Sequence, residues 1–184
     1  LFDNFNWAKL LYYNELAICY SGLTESSMSL GYAEAAIFII KEINNENGKT
    51  LKLETFALCN KGEAERNLHD YDKALLTFNK IIDRCNRKGE ESPDYYQALF
   101  RSALIFIDQG RGREAIDLLK KMKMPDEKDT RYGVRDLEIA SAYIDQTDYD
   151  RAIKKIDDYQ NATQACFSFL FRKADLCRIR CLLE

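Results

Sequence analysis

The chain is short of the residues that interrupt helices. Two prolines and eight glycines in 184 residues leave little room for a flexible linker, and no low-complexity stretch is present. There is one histidine, His69, and the six cysteines (Cys19, Cys59, Cys85, Cys166, Cys177 and Cys181) contain no C-x-x-C pair. A zinc site or a disulfide framework is therefore not indicated. Most of these cysteines fall in helical patterns where a small apolar side chain packs, which reads as reduced core thiols in a cytoplasmic protein. Cys177 and Cys181 are spaced to share a helix face. The balance of 27 basic and 30 acidic residues leaves a net charge of −3, too weak to point to nucleic acid or an anionic membrane as partner. The longest apolar run, Ala35 to Ile40, falls far short of the roughly 20 residues that cross a bilayer. The first residues, Leu1-Phe2-Asp3, carry no initiator Met, basic stretch or cleavage pattern, so the chain reads as a piece of a longer protein.

The same scarcity extends to catalytic constellations. Asp157 and Asp158, or Glu90 and Glu91, are adjacent in sequence, and on a helix adjacent residues point apart rather than forming an acid/base pair. His69 has no Ser or Cys nucleophile near it in sequence. The stretch Gly110-Arg111-Gly112-Arg113 lacks the spacing and the Lys-Ser/Thr of a P-loop and falls where a turn between helices is required. Asn161-Ala162-Thr163 is a glycosylation sequon in form only, and Cys181-Leu182-Leu183-Glu184 imitates a prenylation tail at what reads as a truncated helix. No catalytic residue, cofactor or metal site is expected, and the protein is read as a non-enzyme.

What the sequence does have is repetition. Ala17, Gly62, Ala103, Ala140 and Ala174 sit within five apolar-periodic segments, and a second small residue (Ser29, Ala74, Ala115, Ala152) follows each of the first four by twelve residues. The first marker advances by 45, 41, 37 and 34 residues between units, so geometry is held within a unit and relaxed between units. Two antiparallel helices approach closely only where neither carries a bulky side chain, and a short turn fixes the separation of those two spots. Polar clusters divide the chain into about nine helices, near 5–22, 26–45, 50–68, 71–87, 93–109, 112–123, 131–146, 149–160 and 163–183. Ser92 ahead of Pro93, Asp70 ahead of Tyr71 and Asp148 ahead of Tyr149 are expected N-caps. The aromatic residues, among them Tyr12, Tyr13, Tyr20, Phe38, Phe78, Phe100, Phe106, Tyr143, Phe167 and Phe171, are expected in core and hairpin packing.

These units resemble tetratricopeptide repeats. The pattern wants a large apolar residue four before the first small one, here Tyr13, Leu58, Leu99, Asp136 and Leu170, and an aromatic three after it, here Tyr20, Glu65, Phe106, Tyr143 and Cys177. Four and seven beyond the second small residue stand Ala33, Phe78, Leu119 and Ile156, then Ala36, Ile81, Met122 and Tyr159. The turns around His69-Asp70-Tyr71 and Thr147-Asp148-Tyr149 are similar to the family's. Asp136, Glu65, Lys61 and Lys173 depart from it, being polar where the pattern is apolar, and only Pro125 matches the proline expected after a second helix. The resemblance implies an all-α, right-handed α-solenoid of stacked antiparallel hairpins, a single array with repeats at 5–45, 50–88, 93–123 and 131–160 and a half repeat at 163–184.

It also implies a protein-interaction scaffold whose first helices line a concave groove. Carried over, that groove shows Asn14, Glu15 and Ile18; Asn60, Glu63 and Asn67; Gln97, Arg101, Leu104 and Asp108; Leu137, Glu138 and Ser141; then Arg172 and Asp175. A partner peptide or helix is the expected ligand, with Asn14, Asn60, Glu63, Gln97, Arg101, Leu104, Glu138 and Arg172 as contacts. One subfamily grips the C-terminal carboxylate of heat-shock chaperones with Lys, Asn and Arg. Only Asn60 and Arg101 match that set, with Asn14, Ile18 and Gln97 in place of Lys, Asn and Lys, which argues against a chaperone tail. The alternatives are a peptide-responsive sensor region, or a helical appendage, of a larger signalling, transcriptional or enzymatic protein.

Overall fold

The computed structural model describes residues 2–43, 48–89, 92–122, 130–162 and 168–183. Among them the secondary structure is entirely helical: α1 (Phe2–Gly22), α2 (Ser26–Ile43), α3 (Gly48–Asn67), α4 (Tyr71–Lys88), α5 (Pro93–Asp108), α6 (Gly112–Lys120), α7 (Thr130–Ile144), α8 (Tyr149–Ala162) and α9 (Ser168–Leu183). Every expected helix is present, with ends shifted by a few residues. The chain divides into two compact units, Leu1–Arg101 and Ser102–Glu184.

The twelve-residue offset has a backbone cause. In each hairpin the residue five before the second small marker is left-handed: Thr24 (φ 62), His69 (φ 62), Gly110 (φ 70) and Thr147 (φ 58). Around each one the bonding is the same. Its N–H donates three residues back, to Ser21, Arg66, Ile107 and Ile144, and the next N–H donates five back, to Tyr20, Glu65, Phe106 and Tyr143 at 2.7–2.9 Å. This is the Schellman arrangement, which satisfies the last carbonyls of the first helix. The second helix then starts with the marker's own N–H bonded to Glu25, Asp70, Arg111 or Asp148. A turn made of main-chain groups fixes the spacing whatever the side chains are.

The markers meet as the spacing requires. Ala17, Ala74, Ala103, Ala115, Ala140, Ala152 and Ala174 are fully buried. Ser29 Oγ donates to the Ala17 carbonyl at 2.8 Å, and the Tyr20 and Tyr32 rings stack at 5.3 Å, again twelve residues apart. A Cβ added to Gly62 would lie 2.6 Å from the Phe78 ring, so the aromatic ring lies where any larger residue would project. Leu10, Ala36, Ile39, Ile40 and Ala57 form a core cluster in the first unit; Leu137, Ala140, Ile156, Tyr159 and Ala174 form one in the second.

The polar departures from the repeat pattern are compensated. Glu65 is buried, and Thr77, twelve residues on, donates to its Oε2 at 2.7 Å, with Lys61 at 3.6 Å from Oε1. Asp136 is buried against Arg135 at 3.1 Å and Lys155 at 3.8 Å. Burying a carboxylate is costly unless it is paired and hydrogen-bonded, and both conditions are met.

Three expectations are corrected. Asp70 makes no capping bond with its side chain; its carboxylate pairs with Lys73 at 2.8 Å instead. Ser92 does cap, accepting from the Tyr95 N–H at 3.3 Å, as does Asp148 from the Arg151 N–H at 3.3 Å. Asp148 also pairs with Arg151, and the bond holds its carboxyl below the usual aspartate value. Tyr12 and Phe38 are not core residues but stand 60% and 63% exposed. Phe167, Cys166 and Pro125, and the side chains of Leu170, Phe171 and Lys173, lie outside the described residues.

Candidate functional site

The repeat register selects three positions on each first helix, at six and two residues before the small marker and one after it. On α1 these are Leu11, Glu15 and Ile18; on α3, Phe56, Asn60 and Glu63; on α5, Gln97, Arg101 and Leu104. Residues spaced by four and then three lie one above another on a helix, so each set forms a stripe. Within the first unit α1 packs on α3, and Arg101 of α5 reaches Glu63 of α3 in an ion pair. The α1 and α3 stripes are thus neighbours, and Arg101 joins them to make one face of the first unit.

That face has two halves. Leu11, Ile18 and Phe56 are 48%, 40% and 41% exposed and supply the apolar half, with exposed Glu15 between the first two. The other half is polar. Gln97 is exposed, and Asn60, Glu63 and Arg101 are half-buried. Glu63 stands between two cations: Arg66 bonds Oε1 at 3.4 Å, and Arg101 lies against Oε2 as a charge pair without an aligned hydrogen bond. Asn60 Nδ2 is buried and has no hydrogen-bond partner among the described residues. Behind them, Cys59 is pushed up to about 11 by burial, opposed by Arg101 and reinforced by Asp94 and Glu63. A pKa raised in this way disfavours the reactive thiolate.

The other groove positions divide by burial. Asn14 is buried beside Leu10 and Ala17 on α1, and neither amide atom is bonded among the described residues. It faces the interior, not solvent. Leu137 and Glu138 are likewise buried; Ser141 and Leu104 are half-buried; Glu15, Asn67, Asp108 and Asp175 are exposed. Arg172 belongs to α9, but its side chain lies outside the described residues. Sequence reasoning missed Leu11 and Phe56, although their place six residues before each marker would have found them. In the α5–α6 turn, Arg111 lies over the Phe106 ring at 4.4 Å and bonds Glu114 at 3.0 Å, while a Cβ on Gly112 would come 2.8 Å from the Ala142 carbonyl. These contacts account for both its glycine and its arginine structurally.

Among the described residues no group of three or more His, Cys, Asp or Glu is placed to hold a metal ion, and no helix is long and apolar enough to cross a membrane. A crystal structure from Podosopora anserina, of nearly identical TPR-like repeats provisionally named a kinesin light chain, is similar to 95% of this chain and 85% of that one, with a TM-score of 0.75 at 14% identity. The fold is TPR-like. No protein-family model matches the sequence, and no curated protein matches it. A TPR-like array is an all-α repeat fold that generally serves as a protein-interaction scaffold, and likeness at this identity speaks to the fold alone.

Proposed function

We propose that the protein is a non-enzymatic, cytoplasmic interaction module that docks a segment of a partner protein on the face formed by α1, α3 and the first turns of α5. The observation that carries this reading is the exposure of Leu11, Ile18 and Phe56 next to the polar half made by Asn60, Glu63, Gln97 and Arg101. Apolar anchors that can be desolvated, beside polar groups that fix orientation, are the ingredients of a binding hot spot. The paired helices hold these side chains in place, so little scaffold entropy is lost on binding. Asn60 Nδ2, a buried donor without a partner among the described residues, is the kind of group that a ligand carbonyl would satisfy.

The test is selection of peptides from a randomised display library on the purified chain, followed by affinity measurement on variants. Phe56→Asp and Arg101→Glu are expected to weaken the selected peptides at least tenfold. Leu76→Asp, at a 61% exposed position on α4, is expected to leave them unchanged. Equal binding to all three would remove the face from consideration.

A further inference from the structure

Arg101 is the one arginine of the face that could take a carboxylate from a ligand, and the protein already supplies it with one. Glu63, one turn and a helix away, puts Oε2 against the guanidinium. We propose that Glu63 acts as a built-in substitute for a ligand carboxylate: it occupies Arg101 and removes the advantage that a free C-terminus or acidic side chain would have there, so that the face selects internal segments of a partner chain by their uncharged side chains. The inference rests on the docking face proposed above.

The charge arrangement supports it in two ways. Neutralisation comes first, since a guanidinium already paired at contact distance offers an incoming carboxylate less than a free one does. Repulsion comes second. A ligand carboxylate near Arg101 would also meet Glu63 itself, and Asp94 lies close enough to act on the same neighbourhood around Cys59. Like charges brought together at an interface suppress the wrong partner. Arg66, bonded to the other oxygen of Glu63, draws on the same delocalised carboxylate charge and softens this repulsion without removing the pairing with Arg101. What remains open to a ligand is the apolar half, Leu11, Ile18 and Phe56, which takes an aliphatic or aromatic side chain and asks for no charge.

The experiment compares N-acetyl-phenylalanine, with its free carboxylate, and N-acetyl-phenylalanine amide, each titrated at millimolar concentration into the full chain and followed by amide NMR shifts. The wild-type protein is expected to bind both weakly and within a factor of two of each other, with shifts on α1 and α3. Glu63→Gln, which keeps the size and one acceptor oxygen but removes the charge, is expected to bind the acid at least fivefold more tightly than the amide. Glu63→Gln with Arg101→Gln is expected to lose that preference. If Glu63→Gln binds acid and amide equally at the same residues, the role of Glu63 is overturned and the docking face stands. If neither probe shifts α1 or α3 residues in any variant, both fall. A wild-type preference for the acid overturns the inference directly.

Discussion

In the α3–α4 hairpin the buried carboxylate of Glu65 is met by a hydroxyl, Thr77, and by the partly exposed Lys61. In α7–α8 the buried carboxylate of Asp136 is met by two cations, Arg135 and Lys155. Both hairpins place an acid where the repeat favours an apolar or aromatic residue, and both recover its desolvation through side chains. They differ in what is left behind if the acid is lost. A hydroxyl can turn to another acceptor, whereas Arg135, with a side chain only 12% exposed, would remain as a charge stripped of that partner.

The comparison breaks most sharply at Asp136. Asp136→Ala is expected to destabilise its unit by roughly 3–5 kcal/mol, the usual cost of removing one member of a buried pair. Glu65→Ala is expected to cost about 1–3 kcal/mol, the range for leaving a buried polar group unsatisfied. Denaturant unfolding of the two variants reads the difference, and equal losses would mean that the identity of the partner does not matter. Next comes the close approach. Gly62→Ala puts a Cβ 2.6 Å from the Phe78 ring, and overpacking of about 1–3 kcal/mol should exceed the roughly 1 kcal/mol gained in helix propensity. A raised melting temperature would show that Phe78 moves aside. The smallest effect belongs to the turns. Thr147, β-branched and left-handed at φ 58, is strained where Gly110 is not, so Thr147→Gly is expected to stabilise by about 1 kcal/mol and Gly110→Thr to destabilise by a similar amount.

Much of the fold was legible because its repeat unit is held by geometry that small residues report. The offset from Ala17 to Ser29 and from Ala140 to Ala152 marks where helices touch, and no other residue type tolerates that contact as well. The left-handed residue was harder to see, because only one of its four occupants is glycine and the bonds that stabilise it are in the main chain. Glu65 and Asp136 stood out as departures, but their partners could be named only once the rotation of the opposing helix was known. The same twelve-residue offset that joins the markers also joins Glu65 to Thr77. Asn14 shows the limit for the candidate site: its register places it beside the groove, yet its burial depends on how deeply α1 seats against its neighbours, which spacing alone does not specify.

Because every hairpin bend is closed by peptide groups in the same pattern, the stretch running from one small residue to its mate twelve places on behaves as an interchangeable cassette. Side chains within it are free to drift so long as the contact spots stay narrow. The joints between cassettes are of unequal length in the sequence. A fold maintained in this way is compatible with very different letters, as 14% identity over nearly the whole chain illustrates.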